Sequence, residues 1–410
     1  MNTTELDELY TQLKTDAAAL APQLVIWRRD FHMHPELGFQ EVRTAGIVAE
    51  HLRNLGLEVS TGVGKTGVVA LVEADDTPVD APTVMLRFDM DALPIVEQTE
   101  LPFRSQNQGV MHACGHDGHT AMLLAAASLL VKDRDFHGRV VLIFQPAEEG
   151  GGGAKSMIED GLFRRFDCDQ VFAIHNWPGL AEGTFGLNPG PIMASSNQFE
   201  VKVLGKGAHA AMPHLGVDPV LVSSHLIQAF QAVVTRTSKP VEPVVISVTQ
   251  VAAGEAVNVI PDHCLLKGTV RTFSIEALDV VEEAMRHICQ TLPQAFHASA
   301  EFQFDRQYPP TINHKAPTAV AELVATELVG SERVVMPVEP TMGAEDFAYM
   351  LLERPGSYIF LGNGDLTGPH REVGHGLGPC ALHNPCYDFN DRLIPIGATF
   401  WRALSQQLLA

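Results

Sequence analysis

The chain has 410 residues, more than one hydrophobic core usually supports, so its length favours two domains. Hydrophobic residues make up 46% of the sequence and charged residues 19%, a balance that excludes a disordered chain. The formal net charge of −21 at pH 7 repels phosphate backbones and argues against nucleic acid as a partner.

The N-terminal sequence, the apolar runs and the cysteines indicate where in the cell the protein is located. The N-terminal sequence MNTTELDELYTQLKTDAAAL has no basic segment followed by an apolar core, so we expect no signal peptide. No apolar run is long enough to span a membrane, so we expect no membrane association. The six cysteines are scattered and form no C-x-x-C pair, as is typical of free thiols in a reducing compartment. We therefore expect a cytoplasmic protein.

The first part of the chain alternates helices with short apolar strands. Val48, Leu52 and Leu55 share one face of a predicted helix, which Gly56 ends. Buried strands are then predicted, in order, at GVVALVEA, TVMLRFDMDALPI, VVLIFQPAEE and QVFAIHNW, with a helix at DGHTAMLLAAASLLVKD. This alternation predicts an α/β fold with a mostly parallel sheet and helices on both faces.

The pattern changes near residue 190. Strand and helix patterns then follow in the order β-α-β-β-α-β, which is typical of a compact four-stranded sheet covered by two helices. We assign this inserted domain to residues 191–306. The larger domain is assigned to residues 1–190 and 307–410, because APTAVAELVATELVG and SYIFLGNG resume the earlier alternation.

Residue types that commonly bind metals gather where the predicted strands of the larger domain end. In open α/β sheets, ligands bind beyond the carboxyl ends of the strands, so these side chains are expected to meet at one edge. They are Asp89, Asp91, Cys114, His116, Asp117, His119, Glu148, Glu149, His175 and His383.

Two segments of this set are the most specific. HACGHDGH carries three histidines, a cysteine and an aspartate within eight residues, and this composition has no common explanation as core. Glu148 and Glu149 end the apolar run VVLIF, where carboxylates are costly unless they are paired or coordinated. Cys114 beside His116 fits two ligands of one metal centre, but it also fits a nucleophile with its base.

Segments in order from residue 34 to residue 391 resemble the aminoacylase and carboxypeptidase family of two-metal hydrolases, and within it the hippurate hydrolase and auxin-conjugate hydrolase branch. This resemblance implies a zinc-exopeptidase-like catalytic domain with an inserted lid or dimerisation domain. The segments are HPELGFQE, FDMDALPI, MHACGHDGHT, QPAEEGGGGAKSMIEDG, GAHAAMPH, NVIPD, GAEDFA and HNPCYDFND.

The resemblance also implies roles for individual residues. Glu148 is the expected general base and acid, and His209 in GAHAAMPH the expected residue that completes the site and steadies the oxyanion. Asn258 and Arg271 are expected to hold the amide and the carboxylate of the substrate. The metal ligands implied are Cys114, His116, Glu149, His175 and His383.

The implied activity is hydrolysis of the amide bond of N-acyl amino acids or similar small amides. Two divalent metals bridging one water would lower its pKa, so that hydroxide attacks the amide while Glu148 transfers the proton. Thiolate, imidazole and carboxylate ligands suit manganese or zinc, and also admit cobalt or nickel. Asp89 and Asp91 are expected to orient ligand imidazoles rather than contact the metal, although direct ligation is the alternative.

The sequence determines the oligomeric state and the substrate less closely than it determines the fold and the chemistry. The resemblance implies a homodimer or higher homo-oligomer through the inserted domain, with His209 acting either in its own chain or in the partner. The segment at residues 365–382, which carries His370 and His375, is longer than usual for the branch and could reshape the pocket mouth. Rival hypotheses are a hydrolase with Cys114 as nucleophile and a non-catalytic scaffold of the same fold.

Overall fold

The structure is a computed structural model that describes residues 3–75, 77–78, 80–364 and 380–410. His370 and His375 of the long segment singled out above lie outside the described residues. The chain forms two compact units. The larger unit comprises Met1–Gly190, Asn313–Glu339 and Tyr349–Ala410, and the smaller unit comprises Pro191–Ile312 and Pro340–Ala348.

The helices and strands are numbered here in chain order. The helices are α1 (Thr3–Met33), α2 (Val42–Asn54), α3 (His116–Lys132), α4 (Gly153–Glu159), α5 (Leu162–Arg165), α6 (Pro219–Ala232), α7 (Ile275–Thr291), α8 (Lys315–Val329), α9 (Ala348–Glu353) and α10 (Leu393–Leu408). The strands are β1 (Glu58–Val63), β2 (Gly67–Glu73), β3 (Thr83–Asp89), β4 (Arg139–Gln145), β5 (Gln170–Pro178), β6 (Phe185–Gly186), β7 (Gly190–Met193), β8 (Ser196–Leu204), β9 (Ala208–His209), β10 (Val244–Ala252), β11 (Val259–Ile260), β12 (His263–Thr272), β13 (Ser299–Tyr308), β14 (Thr311–Asn313), β15 (Val334–Val335) and β16 (Gly356–Gly364).

The larger unit is built on one sheet with the strand order β1-β2-β4-β3-β5-β16-β6-β15. Its central strands β4, β3, β5 and β16 are parallel to one another. Every residue of β3 and of β16 is buried, so both faces of the sheet are covered. This arrangement confirms the predicted α/β class with a mostly parallel sheet.

The smaller unit contains the predicted β-α-β-β-α-β order as β8, α6, β10, β12, α7 and β13. Its sheet has the order β10-β12-β8-β13, with antiparallel neighbours throughout. The apolar faces of α6 and α7 pack on it through residues such as Leu226 and Val281. The side chains of Asp218 and Ser274 cap the N-termini of the two helices by accepting backbone N–H groups.

Helix α3 positions the segment HACGHDGH at the edge of the sheet. Gly115, just before the helix, has a φ of 100°, a conformation that glycine adopts without steric penalty. A side chain at Gly115 would also collide with Asn176 and Tyr387. The histidine-rich first turn of α3 therefore lies against the end of β5. Among the described residues, no helix combines the length and the apolar character needed to cross a membrane.

Candidate metal centre

The carboxyl ends of the central strands bring the predicted ligands to one edge. Asp89 ends β3 and pairs in register with Gln145, the last residue of β4. The chain continues from Gln145 into the turn that carries Glu148 and Glu149. His175 lies near the end of β5, the other neighbour of β3. The edge predicted from the sequence is therefore formed by β3, β4, β5 and the start of α3.

The proposed ligands meet in two groups that share Cys114. The ligand atoms of Cys114, His116 and His175 lie within 4.8 Å of one another, and so do those of Cys114, Glu149 and His383. The Sγ of Cys114 is 3.4 Å from Nε2 of His175, and Nε2 of His383 is 3.1 Å from Oε1 of Glu149. The structure thus brings all the predicted ligands together around one thiol.

A buried imidazole nitrogen that makes no hydrogen bond supports a metal at this cluster. His116 is fully buried, and its Nε2 has no hydrogen-bond partner. A buried polar atom of this kind is costly unless it binds something. The neighbouring thiol, imidazole and carboxylate groups form a donor set that divalent metals accept. The side chains present therefore fit divalent metal ions.

Two buried aspartates lie behind the histidines. Asp91 accepts hydrogen bonds from Nδ1 of His116 at 3.1 Å and from the backbone N–H of Glu149 at 2.9 Å. Asp89 lies 2.6 Å from Nδ1 of His119 and accepts a hydrogen bond from Arg87 at 2.9 Å. Asp91 therefore fixes the ring of one predicted ligand and the backbone of another.

The electrostatics around Cys114 differ from those of a nucleophilic thiolate. Burial and the nearby carboxylates of Glu149 and Glu148 raise the pKa of the Cys114 thiol well above its ordinary value. Burial and the neighbouring His119 lower the pKa of His175, the imidazole nearest to the thiol. The protein groups alone thus favour a neutral pair, whereas a cysteine nucleophile needs a thiolate stabilised by its histidine.

The side chains of His119, Asn176 and Tyr387 form a hydrogen-bonded network to which the sequence analysis assigned no role. His119 Nε2 lies 2.7 Å from the side-chain oxygen of Asn176, whose amide donates to the Tyr387 hydroxyl at 2.6 Å. This network joins α3, β5 and the loop after residue 379. Tyr387 lies in HNPCYDFND and Asn176 follows His175, so the segments were visible, but their contacts depend on the fold.

The remaining predicted residues lie in the smaller unit. His209 in β9 pairs with Val259 of β11, and the N–H of Ala210 donates to the carbonyl oxygen of Asn258 at 3.0 Å. His209 and Asn258 are therefore neighbours on a short ribbon, and both are exposed. Arg271 lies on β12 and lines a cavity of about 370 Å³ on the sheet face.

A parallel sheet that presents clustered cysteine, histidine and glutamate side chains at its carboxyl edge favours the class of metal-dependent hydrolases. Comparison with known sequences gives the family. The sequence model of Peptidase family M20/M25/M40 matches residues 85–407, and the chain belongs to this family.

Individual relatives agree with this assignment. The chain is 39% identical to a hippurate hydrolase of Campylobacter jejuni over 93% of its own length and 95% of that protein. It is 41% identical to an N-acetyl-L-cysteine deacetylase of Bacillus subtilis, covering 86% of this chain and 83% of that protein. The crystal structure of Bacillus subtilis YXEP, described as a dinuclear metal binding peptidase, superposes with a TM-score of 0.82 at 33% identity, covering 96% and 99% of the two chains.

Proposed function

We propose that the chain is an amidohydrolase that cleaves the acyl–nitrogen bond of N-acyl amino acids, with Glu148 as general base and acid. The observation that carries this proposal is the position of Glu148 beside the ligand cluster. A carboxylate oxygen of Glu148 lies within 4.8 Å of the ligand atoms of His116 and Glu149. Relatives named for hippurate and N-acetyl-L-cysteine support this substrate class.

The proposed centre would hold two divalent ions on Cys114, His116, Glu149, His175 and His383. Cys114 belongs to both groups of ligand atoms, which supports its role as a ligand. Manganese or zinc suits this donor set, and cobalt or nickel also fits it. When bound, the ions would lower the pKa of a coordinated water and polarise the amide carbonyl.

Glu148 would move the proton between the two halves of the reaction. Its side chain is only 7% exposed, so little bulk water competes with the substrate there. Glu148 would accept a proton from the attacking water on a carboxylate oxygen and then donate it to the leaving nitrogen. Asp89 and Asp91 would hold imidazole rings in place through hydrogen bonds without contacting the metal.

The smaller unit would supply substrate contacts and the oligomer interface. His209 would stabilise the oxyanion, and Asn258 and Arg271 would hold the amide and the carboxylate. The outer edges of β10 and β13 are unpaired within the sheet of this unit, and such edges favour pairing with a second copy. Exposed apolar side chains such as Leu215 and Val257 also support a homodimer. No disulfide bond joins any of the six cysteines, all of which lie within the described residues, and this supports a cytoplasmic location.

The test is a metal assay combined with a substrate panel. Metal-saturated protein would be incubated with N-acetyl, N-benzoyl and N-succinyl amino acids and with indole-acetyl conjugates, and the release of free amino acid would be measured. We expect hydrolysis that a chelator abolishes and that added manganese or zinc restores. Activity that resists chelation but is lost on mild thiol modification would instead favour Cys114 as nucleophile. Bound metal without turnover of any substrate would favour a binding protein.

A further inference from the structure

A buried glutamate distant in sequence contacts the turn that carries Glu148. Glu41 precedes α2 and is fully buried. One of its carboxylate oxygens accepts the backbone N–H of Ala147 at 2.8 Å, and the other accepts the hydroxyl of Thr66 at 2.6 Å. Glu41 therefore binds the main chain one residue before the proposed base.

The turn at Ala147 has an unfavourable backbone conformation. Ala147 has a φ of 49°, in the left-handed region that residues with a Cβ rarely adopt. Holding such a residue there is energetically unfavourable, and surrounding contacts must compensate. A Cβ built at Gly38, in the same HPELGFQE segment as Glu41, would come within 3.0 Å of the Ala147 Cβ. This segment therefore packs closely on the turn.

A second carboxylate binds the main chain one residue after the proposed base. The N–H of Glu149 donates to Asp91 at 2.9 Å. Glu148 thus lies between two peptide N–H groups, each bound by a buried carboxylate from another part of the chain. Asp91 also contacts the proposed ligand His116, whereas the side-chain hydrogen bonds of Glu41 to Ala147 and Thr66 involve no proposed ligand.

We propose that Glu41 is a positioning residue: it holds the strained turn at Ala147 so that the carboxylate of Glu148 faces the reacting atoms. This inference rests on the proposed role of Glu148. A base that is misplaced by about 1 Å can lose about 100-fold in rate. Loss of Glu41 should therefore lower kcat about 10- to 100-fold, while KM and the metal content change less than about twofold, because the proposed metal ligands retain their own contacts.

The experiment compares Glu41→Ala with Glu41→Gln and with Glu36→Ala as a matched control. Glu36 also binds backbone N–H groups, but its partners are Arg43 and Thr44 of α2 rather than the turn. Glu41→Gln keeps an oxygen that can accept the Ala147 N–H, and the Thr66 hydroxyl can turn to accept from its amide. We expect Glu41→Gln to retain kcat within about threefold and Glu36→Ala to lower Tm without a selective loss of kcat.

The readouts are kcat, KM, metal content and Tm of the metal-saturated protein. If Glu41→Ala does not fold, Glu41→Asp gives the same test, since it keeps the charge and shortens the reach by one methylene. A kcat loss in Glu41→Ala, or in Glu41→Asp where that variant replaces it, that is no larger than the loss in Glu36→Ala, or that is explained by lost metal, would overturn the inference. Glu148→Gln is measured in parallel: an active Glu148→Gln enzyme refutes the proposed function itself, whereas an inactive one with a normal Glu41→Ala refutes only the role of Glu41.

Discussion

The carboxylate of Asp91 accepts a hydrogen bond from Nδ1 of His116 at 3.1 Å, and Nε2 of the same ring makes no hydrogen bond and lies 3.7 Å from Oδ1 of Asp89. The bond fixes both the tautomer and the orientation of the ring. The second oxygen of Asp91 binds the N–H of Glu149, so one side chain sets the geometry of two proposed ligands.

Replacing Asp91 by Ala should therefore weaken metal binding about 10- to 100-fold, the usual effect of removing a carboxylate that supports a ligand histidine. The measurement is a titration of the apo protein with metal in a chelator buffer. Asp133→Ala is a suitable control, because Asp133 binds Arg402 in the same unit and belongs to none of the ligand groups. Equal metal affinity in the Asp91 variant and the wild type would contradict the orienting role.

Replacing Glu148 by Gln should keep the fold and both metals but lower kcat by at least about 100- to 10,000-fold. Gln preserves the size of the side chain and removes only its ability to accept a proton. Metal content, Tm and turnover of the best substrate would be measured on the same preparation. Near-normal turnover with full metal content would refute the assignment of Glu148 as the base.

Replacing Cys114 by Ser should lower metal occupancy first and activity as a consequence. A thiolate contributes charge and a strong metal–sulfur bond that a hydroxyl does not. Because Cys114 belongs to both ligand groups, occupancy of both proposed ions should be sensitive to this change. Elemental analysis and kinetics are compared over a range of added metal, where excess metal should recover part of the activity. A fully loaded but inactive variant, together with an acylated Cys114 trapped in the wild type, would favour the nucleophile hypothesis.

Strands and helices that form the site could be predicted from the sequence. The apolar run at β4 and the small, apolar residues of α3 predicted these elements because their patterns are local. Helix α1 was not predicted, although its buried residues Leu13, Ala17, Leu24 and Phe31 recur at helical spacing. Pro22 inside this helix weakens the signal, since proline usually ends a helix.

The contacts that position the site residues could not be predicted in the same way. The bond from Ala147 to Glu41 joins residues 106 positions apart, and no local pattern reports such a contact. The positive φ of Ala147 is also invisible in the sequence, because alanine rarely adopts it. The ligands were recognisable from their motifs, whereas the residues that orient them depend on how distant segments pack.

A buried histidine outside the metal cluster predicts a pH-dependent stability. Burial alone would lower the pKa of His32, but its hydrogen bonds to Asp117 and Glu97 outweigh burial and the nearby Arg28 and raise this pKa to about 9. The folded state therefore favours protonated His32 relative to the unfolded chain, whose ordinary value is 6.5. The stabilisation is complete below about pH 6.5 and is lost as the pH rises through 9.

The corresponding experiment is urea unfolding of metal-saturated wild type and His32→Gln between pH 6 and 10. The free energy of unfolding of the wild type, relative to the variant, should fall by up to about 3 kcal/mol across this range. Comparing the two proteins at each pH removes the contributions of other titrating groups. A difference that does not depend on pH would show that the pKa of His32 is the same in the folded and the unfolded protein.

The last prediction concerns the proposed dimer and the exposed His209 of β9. If each subunit lends its His209 to the partner's site, then co-expressed Glu148→Gln and His209→Ala subunits should complement each other. A mixed dimer then has one site with both residues intact and one site with neither. With random pairing, half of the dimers are mixed and half of their sites work, so activity should recover to about a quarter of wild type.

Mixed dimers would be purified through two different affinity tags, so that their composition is known before activity is measured. Because one of the two sites works in each mixed dimer, the purified mixed dimer should have about half of the wild-type activity. Each variant alone serves as the control and should be inactive, because it lacks one of the two residues in every site. Activity in the tagged mixed dimers can arise only by sharing between subunits, since neither chain carries both residues. An active His209→Ala dimer would place His209 outside any site, whereas an inactive mixed dimer with full metal content would place it in the site of its own chain. A monomer in solution would lead to the same conclusion and would make the smaller unit a lid rather than an interface.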